Sequence, residues 1–287
     1  MLRLAVPNKG SLNGPATSLL TEAGYRVHRE NKALFATDTD NDLQFVFLRP
    51  MDIAANVGAG VLDMGITGQD LLTEAGTSGD VSELLELGFG HSSFYFATPS
   101  GNARDGIAAL DGKRVATSFP QIVEHAEAQH NIKVDTVSLE GAVETAVELG
   151  LADAIADVVE TGASLRAAGL ATIGEPIMRS QAVLVRGRRS LSDDAERAIE
   201  VLVARLRGVL IARRYVMMDY NCPDHALDAA RAITPGMESP TVSRLDEPGW
   251  YAVRAMVLRS ESQSVMDRLW NAGARAILVT PLEACRL

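Results

Sequence analysis

Residues 43–72 read LQFVFLRPMDIAANVGAGVLDMGITGQDLL. The first six form an apolar and aromatic run of strand length that stops at Arg49-Pro50. Residues 51–58 fit a helix, and residues 64–66 a short strand entering the turn Thr67-Gly68-Gln69-Asp70. Strand, helix and strand in succession predict a parallel α/β sheet. Upstream, residues 2–6 read as a buried strand, Pro7-Asn8-Lys9-Gly10-Ser11 as a turn, and residues 15–23 as a helix stopped by Gly24. Downstream, strands at 93–99, 114–116, 133–137 and 154–159, with helices near 122–129 and 142–149, predict a second α/β lobe. Residues 174–185 (GEPIMRSQAVLV) read as one strand returning to the first lobe, which makes that lobe discontinuous in sequence.

Residues 192–215 fit a long amphipathic connector helix with an N-cap signal in Ser192-Asp193-Asp194. Beyond it come a strand at 215–219, a helix at 223–232, strands at 241–245 and 250–257, a helix at 262–272 and a strand at 276–280. That βαββαβ order is the ferredoxin-like split unit.

A chain of 287 residues with 47% hydrophobic and 22% charged content predicts two or three folded domains and no disordered tail. The 37 acidic residues against 27 basic ones leave a formal charge of −10, which opposes general affinity for nucleic acid or an anionic membrane. Anionic ligands would therefore need cations placed locally. Cys222 and Cys285 are too few for a disulfide scaffold and lack metal-ligand spacing, so a reducing compartment is expected. The apolar run at the N-terminus is short and interrupted by Pro7, unlike a secretory signal, and nothing approaches the roughly 20 apolar residues of a membrane span. A cytoplasmic location is expected.

The most specific local signal is residues 152–165, ADAIADVVETGASL. A buried strand delivers Asp157 and Glu160 to its carboxyl end, and a turn containing glycine and hydroxyl groups then starts a helix. Exposed N–H groups there, with the Thr161 and Ser164 hydroxyls, suit a phosphate monoester; the carboxylates suit ribose hydroxyls or Mg²⁺. An N-cap followed by solvated acids fits the same spacing. Lys9, beside Gly10, and Arg49 both follow strands, where open α/β sheets bind ligands, and Thr67, Gly68 and Asp70 end a third. These could gather around one anion; equally, Asp70 could cap its helix with Arg49 paired to it.

Other patterns fail. Residues 58–63 lack the third glycine of a dinucleotide fingerprint, Gly112-Lys113 is followed by Arg114 where a P-loop needs Ser or Thr, and Leu43 stands where a calcium loop at Asp38-Asp40-Asp42 needs glycine. The five histidines form no ligand pair and no triad, although His91-Ser92-Ser93 lies where the chain crosses between lobes.

Together these pieces resemble the ATP phosphoribosyltransferase family, in order and over essentially the full length. The resemblance is carried by LAVPNKGSL, FLRPMDIAANVGAGVLDMGITGQDLL, LGFGHSSF, VATSFPQIV, LEGAVETAVELGLADAIADVVETGASL, MMDYNCP, ITPGMESPTV and GARAILV. The last three segments are similar to the long form, which carries a regulatory domain. The resemblance implies two lobes like those of periplasmic binding proteins: lobe I from 1–90 plus 178–211, and lobe II from 91–177. A ferredoxin-like domain would follow over 212–287. It implies a phosphoribosyl pyrophosphate loop on Asp153, Asp157, Glu160, Thr161, Gly162, Ala163 and Ser164, the serine standing where the family usually has threonine. It implies an ATP site on Lys9, Gly10, Arg49, Thr67, Gly68 and Asp70, with Lys9, Arg49 and Asp157 catalytic. Mg²⁺ is the expected cofactor. Histidine is the expected inhibitor, held around Asp219, Asn221, Met237, Ser239, Thr241 and Ala276, and the expected assembly is a homo-oligomer, dimer to hexamer. Two rivals are weighed: a two-lobed solute-binding module, which would carry an export signal, and a histidine sensor, which leaves the cation-lined cleft without purpose.

Overall fold

A computed structural model describes residues 1–29, 33–103, 106–159 and 162–286. It packs as two units, Met1–Ser18 with Arg26–Glu196 and Leu19–Tyr25 with Arg197–Leu287.

The first part of the chain runs β1 (Leu2–Pro7), α1 (Asn13–Glu22), β2 (Phe35–Asp38), β3 (Leu43–Leu48), α2 (Pro50–Gly58), β4 (Met64–Gly68), α3 (Gln69–Glu74) and β5 (Val81–Glu86). It continues with β6 (Ser92–Pro99), β7 (Arg114–Thr117), α4 (Pro120–His130), β8 (Asp135–Ser138), α5 (Thr145–Glu148), β9 (Ala154–Val158), α6 (Ala163–Ala167), β10 (Leu170–Ser180) and β11 (Ala182–Gly187). Two sheets result. The six-stranded sheet has the order β2-β3-β1-β4-β11-β5, with β1 parallel to both β3 and β4. Its middle strands carry no polar alternation because both faces are covered: Leu4, Ala5, Val6, Phe45, Val46 and Phe47 are all buried. The five-stranded sheet has the order β10-β6-β9-β7-β8, with β7 parallel to β8 and β9.

Close packing of α2 on β4 needs a missing side chain. A Cβ added at Gly65 would run into Ile53 Cγ2 and lie 3.0 Å from Val57 Cγ2. Gly65→Ala is therefore expected to destabilise the protein by about 1–3 kcal/mol through overpacking. Urea denaturation reads this directly, and an unchanged midpoint would show that α2 can shift without cost.

Three expectations differ from what is observed. Residues 174–185 are not one strand: β10 ends at Ser180 in the five-stranded sheet, β11 starts at Ala182 in the six-stranded one, and Gln181 alone makes the crossing. The passage is marked only by the polar residues Arg179-Ser180-Gln181, with no glycine or proline among them and apolar residues on both sides, so the run reads as continuous. β2 and β5 were not expected; both are sheet edges, with short or polar sequences that owe their extension to a neighbour's hydrogen bonds. The helix expected over 142–149 is reduced to α5, preceded by Ala142 with φ 50°.

α7 (Asp193–Arg214) carries Asp193, Asp194 and Glu196 in its first turn and Arg213 and Arg214 in its last, matching charge to the helix dipole. Packing groups it from Arg197 onward with the second unit, rather than with lobe I as far as residue 211. The contacts responsible are local to that unit: Arg213 pairs with Glu22 at 2.7 Å, Arg205 stacks over Tyr25, and Cys285 lies against Gly208. The rest of the unit is β12 (Tyr215–Pro223), α8 (Leu227–Ile233), β13 (Thr241–Arg244), β14 (Trp250–Leu258), α9 (Ser262–Asn271) and β15 (Arg275–Pro281). The antiparallel sheet β13-β14-β12-β15 has the ferredoxin-like arrangement, with Val216, Met218, Tyr220 and Cys222 of β12 facing the core. Among the described residues, no helix is long and apolar enough to cross a membrane.

Candidate functional site

Lobe I, built on the six-stranded sheet, brings its candidate cations together through strand register. Pro7 pairs with Leu48, and the Asn8 N–H donates to the Leu48 carbonyl at 2.8 Å, so the Lys9-Gly10 turn lies next to Arg49 at the carboxyl edge. Arg49 is extended (φ −68°, ψ 144°), as a residue before proline prefers, and precedes the first turn of α2. Both cations are exposed, and neither forms an ion pair among the described residues. Arg29, which has no sequence signal, joins them: its guanidinium donates to the Asn8 carbonyl at 3.3 Å and lies 5.1 Å from the centre of the Phe47 ring.

The third strand end behaves differently. Thr67 is buried, and its hydroxyl already donates to the Pro50 carbonyl at 2.8 Å, so it is not a free donor. Asp70 neither pairs with Arg49 nor caps α3. Its Oδ1 accepts from Ser180 Oγ at 2.9 Å and its Oδ2 from Ser92 Oγ at 3.4 Å, while its own N–H donates to Ser180 Oγ. Asp70 thereby ties the end of β4 to the two places where the chain passes between sheets. Gly68 lies directly beneath its carboxylate.

In lobe II, built on the five-stranded sheet, β9 carries Asp157 toward its carboxyl end. Glu160 and Thr161 lie outside the described residues. Gly162 follows in the left-handed region at φ 67°, a conformation natural to glycine, and Ala163 and Ser164 open α6, both exposed. α6 has only five residues, too few for a macrodipole of consequence, so what the described part of this turn offers chemically is its N–H groups and the Ser164 hydroxyl. Arg166, also not anticipated, extends over Gly162: its Nη1 lies 3.1 Å from where a Cβ would be. A hollow of about 400 Å³ beside the turn is lined by Tyr95, Val159, Gly162, Leu165, Arg166 and Leu170.

Asp157 is half-buried. Burial pushes its pKa above the ordinary aspartate value; a 2.7 Å hydrogen bond from the Val158 N–H opposes this, and the negative charge of Glu144 adds to it. No cation neutralises Asp157 among the described residues. Asp153 is not brought to this edge. It precedes β9 at the amino end, about 16 Å of strand away. There it pairs with Arg114 at 2.9 Å and accepts the Arg114 N–H, which hold its carboxyl below the usual range. No group of three or more His, Cys, Asp or Glu residues is arranged around a metal position among the described residues.

In the second unit, Thr241, Arg254, Asp219 and Leu278 form one register row across β13, β14, β12 and β15. Asp219 Oδ1 accepts from Arg254 Nε at 2.6 Å. Asn221 lies two residues along β12, and Ala276 has φ 50° where the β12–β15 register shifts. Met237 and Ser239 are exposed in the loop leading into β13. Arg254 is the charged member of this row that sequence reading missed; a lone arginine in a strand carries no signal until pairing sets it opposite an acid.

Comparisons with known proteins follow the same division. A family model described as ATP phosphoribosyltransferase matches residues 49–208, and one described as the HisG C-terminal domain matches residues 212–284. The ATP phosphoribosyltransferase of Streptomyces avermitilis is 54% identical over 288 residues and that of an Arthrobacter species 51% over 289, each covering 100% of both chains. Among solved structures, a chain of the ATP phosphoribosyl transferase (HisG:HisZ) complex from Thermotoga maritima is 28% identical, with a TM-score of 0.61 over 72% of this chain and 96% of that one.

Proposed function

The chain belongs to the ATP phosphoribosyltransferase family, in the form with its own C-terminal domain, and from that membership we propose how its residues divide the reaction. The enzyme joins ATP to phosphoribosyl pyrophosphate, forming N1-(5-phosphoribosyl)-ATP and pyrophosphate, the first step of histidine biosynthesis. In our reading the polyphosphate of ATP lies along Lys9, Gly10 and Arg49, with Thr67, Gly68 and Asp70 shaping the neighbouring wall. The sugar phosphate lies on Glu160, Thr161, Gly162, Ala163 and Ser164. The observation that carries this division is the Pro7–Leu48 register, which sets on one edge two cations that form no ion pair among the described residues.

The chemistry is displacement at the anomeric carbon. The carbon–oxygen bond to pyrophosphate breaks, its electron pair leaves with that oxygen, and the adenine N1 lone pair forms the new bond. N1 is unprotonated near neutral pH, so no general base is needed. Asp157 accepts the ribose hydroxyls and sets negative charge near the carbon where positive charge grows; Lys9 and Arg49 offset charge on the phosphates. Mg²⁺ is the fitting cofactor: Asp157, with the negative charge of Glu144 acting on it and no cation to neutralise it among the described residues, offers hard oxygen donors. When bound, the ion would neutralise the departing pyrophosphate. Pyrophosphate release that requires both substrates, with the adduct identified by mass, tests the division when repeated on Lys9→Ala and Asp157→Asn.

We also assign histidine inhibition to the Asp219 row. Arg254 would hold the carboxylate of the amino acid, and Asp219, Asn221, Ser239 and Thr241 its ammonium and ring, with Met237 and Ala276 at the margin. Arg254→Ala is expected to weaken histidine binding, read by calorimetry, by about ten- to a hundredfold, the loss of one charged hydrogen-bonding partner. Unaltered binding would move the effector elsewhere. Residence in the cytoplasm and assembly into dimers and hexamers that respond to histidine belong to the same reading.

A further inference from the structure

α3 is a short helix fastened at both ends to other parts of the first unit. At its start, the Gln69 N–H donates to the Gln181 carbonyl at 3.1 Å, and Asp70 engages Ser180 and Ser92, all at the passages between sheets. At its end, Glu74 Oε2 accepts the N–H of Gln121 at 3.0 Å and of Ile122 at 3.2 Å. These are donors of the first turn of α4, in the opposite lobe. α4 has no cap of its own: Phe119 offers no side-chain hydrogen bond, and Pro120 has no N–H. One lobe therefore caps the other's helix, over a sequence separation of 47 and 48 residues.

That helix start is in turn joined to the carboxyl edge of lobe II. The Phe119 N–H donates to Thr117 Oγ1, Ser118 Oγ donates to the Leu139 carbonyl at 2.7 Å, and the Gly141 N–H donates to Ser118 Oγ. Glu144, the neighbour of Asp157, follows shortly after. Burial pushes the Glu74 carboxyl pKa up, with the two N–H donors opposing, as expected for a group held between packed surfaces.

We propose that Glu74 is a positioning residue: by capping α4 from lobe I it sets the distance between the two carboxyl edges, and hence the approach of adenine N1 to the anomeric carbon. The proposal rests on the assignment of ATP to lobe I and the sugar phosphate to lobe II. Each substrate alone is then held within one lobe, so loosening the clamp should spare individual binding and impair the joint step, where misplacement by about 1 Å can cost on the order of 10²-fold.

The test uses the full-length enzyme. Calorimetry would give the Kd of ATP alone and of phosphoribosyl pyrophosphate alone, and steady-state assays kcat, for Glu74→Ala, Glu74→Gln and Glu74→Asp. Glu74→Ala is expected to lower kcat about 10- to 100-fold with each Kd within about threefold. Glu74→Gln, which keeps a carbonyl acceptor of the same reach, should recover kcat to within about threefold, whereas the shorter Glu74→Asp should not. Retained kcat in Glu74→Ala, or parallel loss of kcat and both affinities, overturns the proposal. If Glu74→Ala does not fold, the contrast between Gln and Asp decides it. Lys9→Ala and Asp157→Asn, titrated with each substrate alone, test the lobe assignment separately: if they fail to weaken ATP and phosphoribosyl pyrophosphate respectively, that assignment falls while the kcat result still judges the clamp.

Discussion

Lys9→Ala should lower kcat/KM by about 10²–10³-fold, the range seen when one preorganised donor to a developing charge is removed, and leave the melting temperature within about 2 °C. The second half follows from what Lys9 touches. Its side chain is exposed and forms no hydrogen bond or ion pair among the described residues, so truncation removes no folded-state contact. The first half follows from register, since the Asn8–Leu48 hydrogen bond holds the turn beside Arg49 whether or not the lysine is present. Calorimetric melting and steady-state kinetics with each substrate varied would separate the two. Turnover equal to wild type would remove Lys9 from the site; a large drop in melting temperature would make it structural.

Asp157→Asn is expected to lower kcat by on the order of 10²-fold without loss of stability. The ionised carboxylate is the working form, and in the folded protein burial and Glu144 place its pKa above the ordinary aspartate value. Activity should therefore fall, as pH drops, at a higher pH than an unperturbed aspartate would give. Glu144→Gln removes the like charge and should move that acid limb to lower pH. The stability sign is opposite: a raised pKa means that ionisation disfavours the folded state, a cost acquired as pH rises from the unfolded pKa through the folded one. The amide in Asp157→Asn keeps an oxygen for the Val158 N–H and sheds that cost, so the variant's denaturation midpoint near neutral pH should equal or exceed the wild-type value. An unshifted acid limb in Glu144→Gln, or a kcat close to wild type in Asp157→Asn, would rule out this role.

The expectations that survived best were those carried by uninterrupted apolar runs. LQFVFL became β3 with the bounds anticipated, because a strand buried on both faces needs apolar residues at every position. Arg49 was legible because it directly follows such a run, and Lys9 because it lies in the short turn just after β1. Asp153 illustrates the converse. It shares the 152–165 stretch with Asp157, yet a strand separates its ends in space, and proximity in sequence became distance in structure. Asp70 was legible as a polar residue at a strand end, but not its partners: Ser180 is 110 residues away. Glu74, Arg29 and Arg166 are single charges on ordinary helices or loops, and nothing in their neighbours distinguishes them.

By itself, then, the order of residues determined the α/β alternation, the split βαββαβ tail and which strand ends carry charge, since hydrophobic periodicity and turn chemistry act over a few neighbouring positions. Only tertiary structure decided where residues 174–185 break, which carboxylates are already committed, and that one lobe caps a helix of the other. Those outcomes depend on hydrogen bonds and burial between segments tens of residues apart, whose energies exist only once both partners have been placed.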